Sequence, residues 1–281
     1  MREIGRLTAT GIAFAVALPA TAHAGACEDS FRRTGSVGSG VHFIATATVP
    51  DLPPDVAINQ MRGIAARKGY DIMASEPAAG ALLIEQPVSG NSRAFPIEIN
   101  ATQAGGMGTV RMEAKLRAAM AAPTEGAKTE LCAMLAELKG GRAGRTAAAS
   151  GARATTVQGA PIALNSLEFS HQISKDTERN SAAILPRYSG KRFTISGQVD
   201  YVTQDSGTYR VAFKIPNPWD EAIRLPGTAA FKTDLSCMMA SGQSVYALQL
   251  KPGRSIRLTG TFFRFNETGH HVWFTECRPA P

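Results

Sequence analysis

Residues 255–277 read SIRLTGTFFRFNETGHHVWFTEC. Ser255–Asn266 and His271–Cys277 are strand-like, rich in β-branched and aromatic residues, and Glu267-Thr268-Gly269 supplies a turn between them. The stretch therefore predicts a β-hairpin. Upstream, Ser244 to Leu250 reads as a short helical turn stopped by Pro252-Gly253, and Phe231 to Met238 as a strand behind a loop carrying Pro216, Pro218 and Pro226. Thr208 to Ile215 puts Tyr209, Val211, Phe213 and Ile215 on one face; Lys191 to Thr203 does the same with Phe193, Ile195, Val199 and Tyr201. Asn165 to Leu185 reads as a helix that ends before Pro186. The region 162–281 is thus read as all-β with a leading helix, its elements in the order strand, strand, strand, helix, strand, strand.

Several short segments carry a resemblance. They are Tyr188-Ser189-Gly190-Lys191, Ile195-Ser196-Gly197-Gln198-Val199, Ser236-Cys237, Leu248 through Gly253, Ile256-Arg257-Leu258-Thr259-Gly260, and Cys277 near the end. With them, and over about 100 of the 281 residues, the region resembles the tRNA-anticodon-like OB-fold family of exported bacterial proteins. The resemblance implies a five-stranded OB barrel, in which Gly197 and Gly260 would mark mid-strand bends. It does not settle function, because OB folds bind oligonucleotides, oligosaccharides or proteins, or act as spacers. It carries no nucleotide-binding residue over to this sequence.

Residues 140–161, GGRAGRTAAASGARATTVQGAP, have a linker composition: Gly, Ala, Ser and Thr, three arginines and no large apolar residue. A flexible linker is expected over 141–161, between a domain at 25–140 and one at 162–281. In the first half, Val41–Val49 alternates as a strand, and Asp51–Lys68 is helical, with Pro53 and Pro54 in its first turn and Gly69 after its end. Tyr70–Ser75 into Ala81–Gln86, Arg93–Ala101 and Thr109–Leu116 are strand-like. Thr124 opens a helix whose stripe is Leu131, Leu135 and Leu138. The order β-α-β-β-β-α predicts an α+β domain, an antiparallel sheet with helices packed on one face.

The N-terminus, MREIGRLTATGIAFAVALPATAHA, has the charges Arg2 and Arg6, a short apolar run, the breaker Pro19 and the small-residue site Ala22-His23-Ala24. That sequence predicts a secretory signal over 1–24, cleaved after Ala24, and a periplasmic or secreted product. Ala24 stands three places before Cys27, where a lipoprotein signal carries a larger apolar residue, so lipidation is not expected. No later segment is long and apolar enough to predict a transmembrane segment. The four cysteines, Cys27, Cys132, Cys237 and Cys277, lack C-x-x-C spacing and favour disulfides, of which three connectivities exist. The OB strand order implied by the resemblance makes strands 3 and 5 parallel neighbours. It thereby implies Cys237 with Cys277, leaving Cys27 for Cys132.

Hydrolase, zinc-protease, phosphate-loop and dinucleotide motifs are absent, and Gly126-Ala127-Lys128-Thr129 only echoes a phosphate loop. His270 and His271, adjacent at the hairpin tip, are read as exposed imidazoles, not a metal site. No cofactor, metal or catalytic residue is expected. Arg192, Arg210, Lys214 and Arg257 alternate opposite the apolar positions, and Phe263, Phe265 and Trp273 share parity with Arg257 or with exposed positions. Cations interleaved with rings are what single-stranded nucleic acid needs. The candidate ligand-binding residues are therefore Arg192, Arg210, Lys214, Arg257, Phe263 and Trp273. The formal net charge of +7 permits acidic partners. The expected function is an exported, non-enzymatic envelope protein that binds or scaffolds an envelope protein or anionic polymer. Single-stranded nucleic acid or another polyanion on the OB face is the alternative, less favoured because of export.

Overall fold

A computed structural model describes residues 24–86, 94–154, 160–205, 207–217 and 229–280. The signal at 1–24 lies outside these residues, except Ala24, and so does most of the proline loop.

The first sheet takes its strands from 32–116. These are β1 (Arg32–Ser36), β2 (Gly40–Pro50), β3 (Asp71–Glu76), β4 (Ala81–Gln86), β5 (Phe95–Ala104) and β6 (Met107–Leu116). Their order is β1-β2-β6-β5-β4-β3, antiparallel throughout. The clean alternation of 107–116 becomes Val110, Met112, Ala114 and Leu116 buried on one face. The other face carries Glu98, Arg111, Glu113 and Lys115, cross-linked as ion pairs. Four helices accompany the sheet: α1 (Ala24–Ser30), α2 (Pro54–Arg67), α3 (Thr124–Ala136) and α4 (Gly141–Gly151). Ile58, Met61 and Ile64 of α2 and Leu131 and Leu135 of α3 share one core with Phe43, Ile97, Ile99 and Met112 of the sheet. The order expected from sequence lacked α1, β1 and α4, and the Tyr70–Gln86 stretch is two paired strands around a turn at Gly80.

The expected linker is corrected over its first half. Residues Gly141–Gly151 form α4, which packs along α2. Small side chains are the reason: a Cβ on Gly63 would stand 2.8 Å from the Gly151 Cα, so the two backbones meet without side chains between them. Gln60 fixes the junction, donating to the Lys139 carbonyl at 2.9 Å and accepting from the Lys139 N–H at 3.0 Å.

The second sheet contains β7 (Ile162–Asn165), β8 (Arg192–Asp205), β9 (Thr208–Phe213), β10 (Asp234–Met239), β11 (Ser255–Asn266) and β12 (His271–Pro279). Its order is β11-β12-β10-β9-β8-β7, with a further β11–β8 pairing, so the ladder through β8, β9, β10, β12 and β11 returns to β8. β10 and β12 are parallel neighbours; β7, too short to be read from sequence, runs parallel to β8. The leading helix divides into α5 (Ser166–Asn180) and α6 (Ile184–Tyr188), and α7 (Ser244–Leu248) follows β10. Asn165 caps α5 through the Leu167 N–H at 2.9 Å. Pro186 does not stop the helix, because it sits in the first turn of α6, where its missing N–H costs nothing. Phe169 of α5 is fully buried among Tyr188, Phe193 and Phe274.

Gly197 and Gly260, expected to mark bends, lie in the regular β8–β11 ladder against close neighbours. A Cβ at Gly197 would overlap the Ser166 side chain, and one at Gly260 would lie 2.5 Å from the Cys277 Sγ. Both glycines make room for a close neighbour. The disulfides are Cys27–Cys132, tying α1 to α3, and Cys237–Cys277, tying β10 to β12. Two such bonds fit an extracellular or periplasmic protein. Among the described residues no helix is long and apolar enough to cross a membrane.

The two sheets meet through charge. Arg187 of α6 donates from Nε and Nη2 to the two Glu85 carboxylate oxygens of β4, at 2.6 and 2.9 Å. Its Nη1 stands 3.0 Å from Asp176, which also accepts from the Tyr188 hydroxyl at 2.7 Å. Lys191 donates to Asp71 of β3. Glu85 and Asp71 are buried.

Candidate functional site

β12 alternates Val272 and Phe274 into the core, so His271 and Trp273 face outward together. Their rings stack, with centroids 4.1 Å apart and planes at 14°. Arg264 of β11, paired across the strands with Trp273, lays its guanidinium 4.2 Å from the indole centroid. That is a cation–π contact at close range. His271 Nε2 lies 2.8 Å from the Ser236 hydroxyl on β10. One strand further, Arg210 of β9 bonds Thr203 Oγ1 at 3.3 Å and sits 5.8 Å from the Tyr201 ring. Lys232 joins the edge, paired with Asp234 at 3.0 Å. Burial lowers the His271 pKa, and the positive charges of Arg210, Arg264 and Lys232 lower it further against Asp234. The result is a half-buried neutral imidazole among cations, with indole, phenol and guanidinium groups spread across β8 to β12.

The six residues read from sequence are divided. Arg210 and Trp273 belong to this face. Lys214 and Arg257 line a separate cleft with Arg254, beside the start of α5. Arg192 lies opposite Thr261 on the β8–β11 seam. Phe263 is exposed, in the irregularity between Phe262 and Arg264. The expected single face is therefore corrected.

Two register shifts explain the residues missed. On β8 the pairing shifts between Val199 and Tyr201, which turns Tyr201 outward, 39% exposed, although strict alternation places it in the core. On β11 the shift between Phe262 and Arg264 turns Arg264 outward and leaves Phe265 packed against the core. Alternation gives Arg264 the parity of Ile256 and Leu258. The expectation of exposed imidazoles also changes: His271 is stacked on Trp273, and His270 on Phe231 at 3.7 Å.

No family model matches the sequence. No curated protein matches it. Among solved structures, similarity extends to a Klebsiella pneumoniae lipoprotein described as nucleic acid-binding, at 12% identity and TM-score 0.29, over 42% of this chain and 92% of that one. CalU16 from Micromonospora echinospora gives 12% identity and TM-score 0.26, over 45% and 96% of the chains. Fission yeast Pot1 with single-stranded DNA gives 9% and 0.23, over 89% and 75%. Similarity at this level carries no argument about this chain, so the site rests on its own geometry.

Proposed function

We propose that this chain is an exported, non-catalytic binding protein. In this reading its second sheet is an OB-type barrel that holds an anionic, ring-bearing polymer, single-stranded nucleic acid fitting best, against the Trp273 face. The observation that carries it is the Arg264–Trp273–His271 stack continued by Arg210 and Tyr201. Phosphates need cations, which Arg210, Arg264 and Lys232 supply; bases need flat partners, which the guanidinium and imidazole at the two ends of the Trp273 stack and the Tyr201 ring supply. The return of the strand ladder to β8 supports the barrel reading, because closure leaves these side chains on one continuous outer surface.

The test is fluorescence anisotropy of a labelled oligothymidylate, with dextran sulfate as a polyanion without rings. Trp273→Ala, which removes the ring that holds Arg264 and His271 flat, should weaken the oligothymidylate by about 1–3 kcal/mol, the worth of one base stack, and leave dextran sulfate unchanged. Arg210→Ala should reduce the salt slope by about 0.7, one phosphate's share for a single strand. Equal binding of both polymers, indifferent to Trp273, would replace nucleic acid with a simple polyanion; no salt-dependent binding at all would return the chain to the scaffold class.

A further inference from the structure

A second, unrelated site lies in the first sheet's layer. A cavity of about 900 Å³ opens between the sheet and α3. Its floor is Phe43, Phe95, Ile97 and Leu116; α3 closes it with Ala127 and Leu131. The space is open to solvent on one side, so solvent or a ligand occupies it. The wall is built to stay open. The loop ahead of α3 contributes Ala119, Ala121 and Ala122, and Gly126 follows in the first turn of the helix. A Cβ at Gly126 would meet nothing nearer than Pro123 Cβ at 3.8 Å, so neither packing nor backbone conformation demands the glycine there. Larger apolar residues at Ala121, Ala122 or Gly126 would narrow the space, whereas at Ala119 the left-handed backbone itself disfavours them.

The mouth is polar, and its charge is cancelled. Lys68 Nζ stands 3.2 and 3.4 Å from the two Glu130 oxygens, and the buried Tyr70 hydroxyl reaches Glu130 at 3.3 Å. A carboxylate entering head-first would face Glu130, and an ammonium would face Lys68. A neutral group that both donates and accepts would satisfy the pair without opposing either member. The volume matches one medium-sized organic molecule.

We propose that this cavity binds one neutral, single-headed amphiphile, an apolar body with a hydroxyl at the Lys68–Tyr70–Glu130 mouth. This is independent of the Trp273 face.

The test uses the full disulfide-bonded chain and the neutral fluorescent probe N-phenyl-1-naphthylamine. Dodecanol should displace the probe at concentrations about tenfold lower than dodecanoate or dodecylammonium, each below its micelle threshold, a difference of about 1.4 kcal/mol. Gly126→Leu should lower probe affinity by about tenfold or more while the thermal midpoint holds or rises, because leucine both fills space and favours the helix. Ala127→Phe should act alike, and Trp273→Ala should leave the probe unaffected. Absence of probe binding, indifference to both filling variants, or equal displacement by all three heads would overturn the proposal.

Discussion

Trp273 and His271 show how one residue's surroundings set its chemistry. The imidazole is half-buried, bonded to Ser236, and faced by Arg210, Arg264 and Lys232, which Asp234 opposes. Its folded pKa is therefore below the unfolded value of about 6.5. On acidification the unfolded chain takes up this proton first, so His271 costs stability as pH falls from about 6.5 through the folded pKa. Urea unfolding near pH 7.5 and near pH 5.5 checks the sign: His271→Gln should lose less stability between the two than the parent protein does. A bound polyanion offsets the three cations and so removes part of what holds the imidazole neutral, burial remaining. The His271 resonance, followed by NMR, should titrate at higher pH when the oligothymidylate is bound, and binding should tighten on acidification. An unmoved titration would separate His271 from the binding face. Of the six side chains chosen from sequence, Arg210 and Trp273 meet here; Lys214, Arg257 and Arg192 lie elsewhere along their strands, at the cleft beside α5 and on the β8–β11 seam, because parity gives the face of a strand and not the position along it. The single extra residues on β8 and β11 exchanged Tyr201 and Arg264 from inside to outside.

The elements legible in the sequence are those with a half-buried face. β2, β6, β8 and β9 declare themselves by period 2, and α2 by its caps and apolar stripe. α4 was not legible, for a physical reason: a helix that meets its neighbour backbone to backbone needs glycine and alanine, and that is the composition of a flexible linker. What distinguishes the two is the partner, here α2, with Gly63 opposite Gly151. A leucine at 151 would put its Cβ inside the Asn59 carbonyl. Gly151→Leu should therefore cost at least the about 1–3 kcal/mol of an overpacked contact and lift α4 from α2. Brief trypsin treatment reads the outcome. Arg142 and Arg145 lie within α4, and Arg145 also pairs with Asp51 at 3.6 Å. They should resist cleavage in the parent and be cut early in the variant. Early cutting at both sites in the parent would restore the linker reading.

At the scale of the whole molecule, two separate cores are joined by a polar lock. Each sheet buries its own aromatic and aliphatic cluster. Between them Arg187 forks onto Glu85 and touches Asp176, while Lys191 reaches Asp71. Charges taken from water repay their desolvation only through close geometry, so such a joint is specific in register and intolerant of losing a partner. Arg187→Ala would leave Glu85, 2% exposed, and Asp176 facing each other without the cation. The expected cost is about 3–5 kcal/mol, that of an uncompensated buried charge. The chain escapes it by letting water in, which means separating the sheets. Because each core is self-contained, separation need not unfold either one. Calorimetry of Arg187→Ala should therefore resolve two transitions where the parent shows one, and small-angle scattering should show a larger radius of gyration. The pair Glu85→Gln with Arg187→Met removes both charges and should lose less than Arg187→Ala alone. If Arg187→Ala keeps a single transition and the parental radius, the sheets are held by apolar contact, and the charged pairs only decorate the seam.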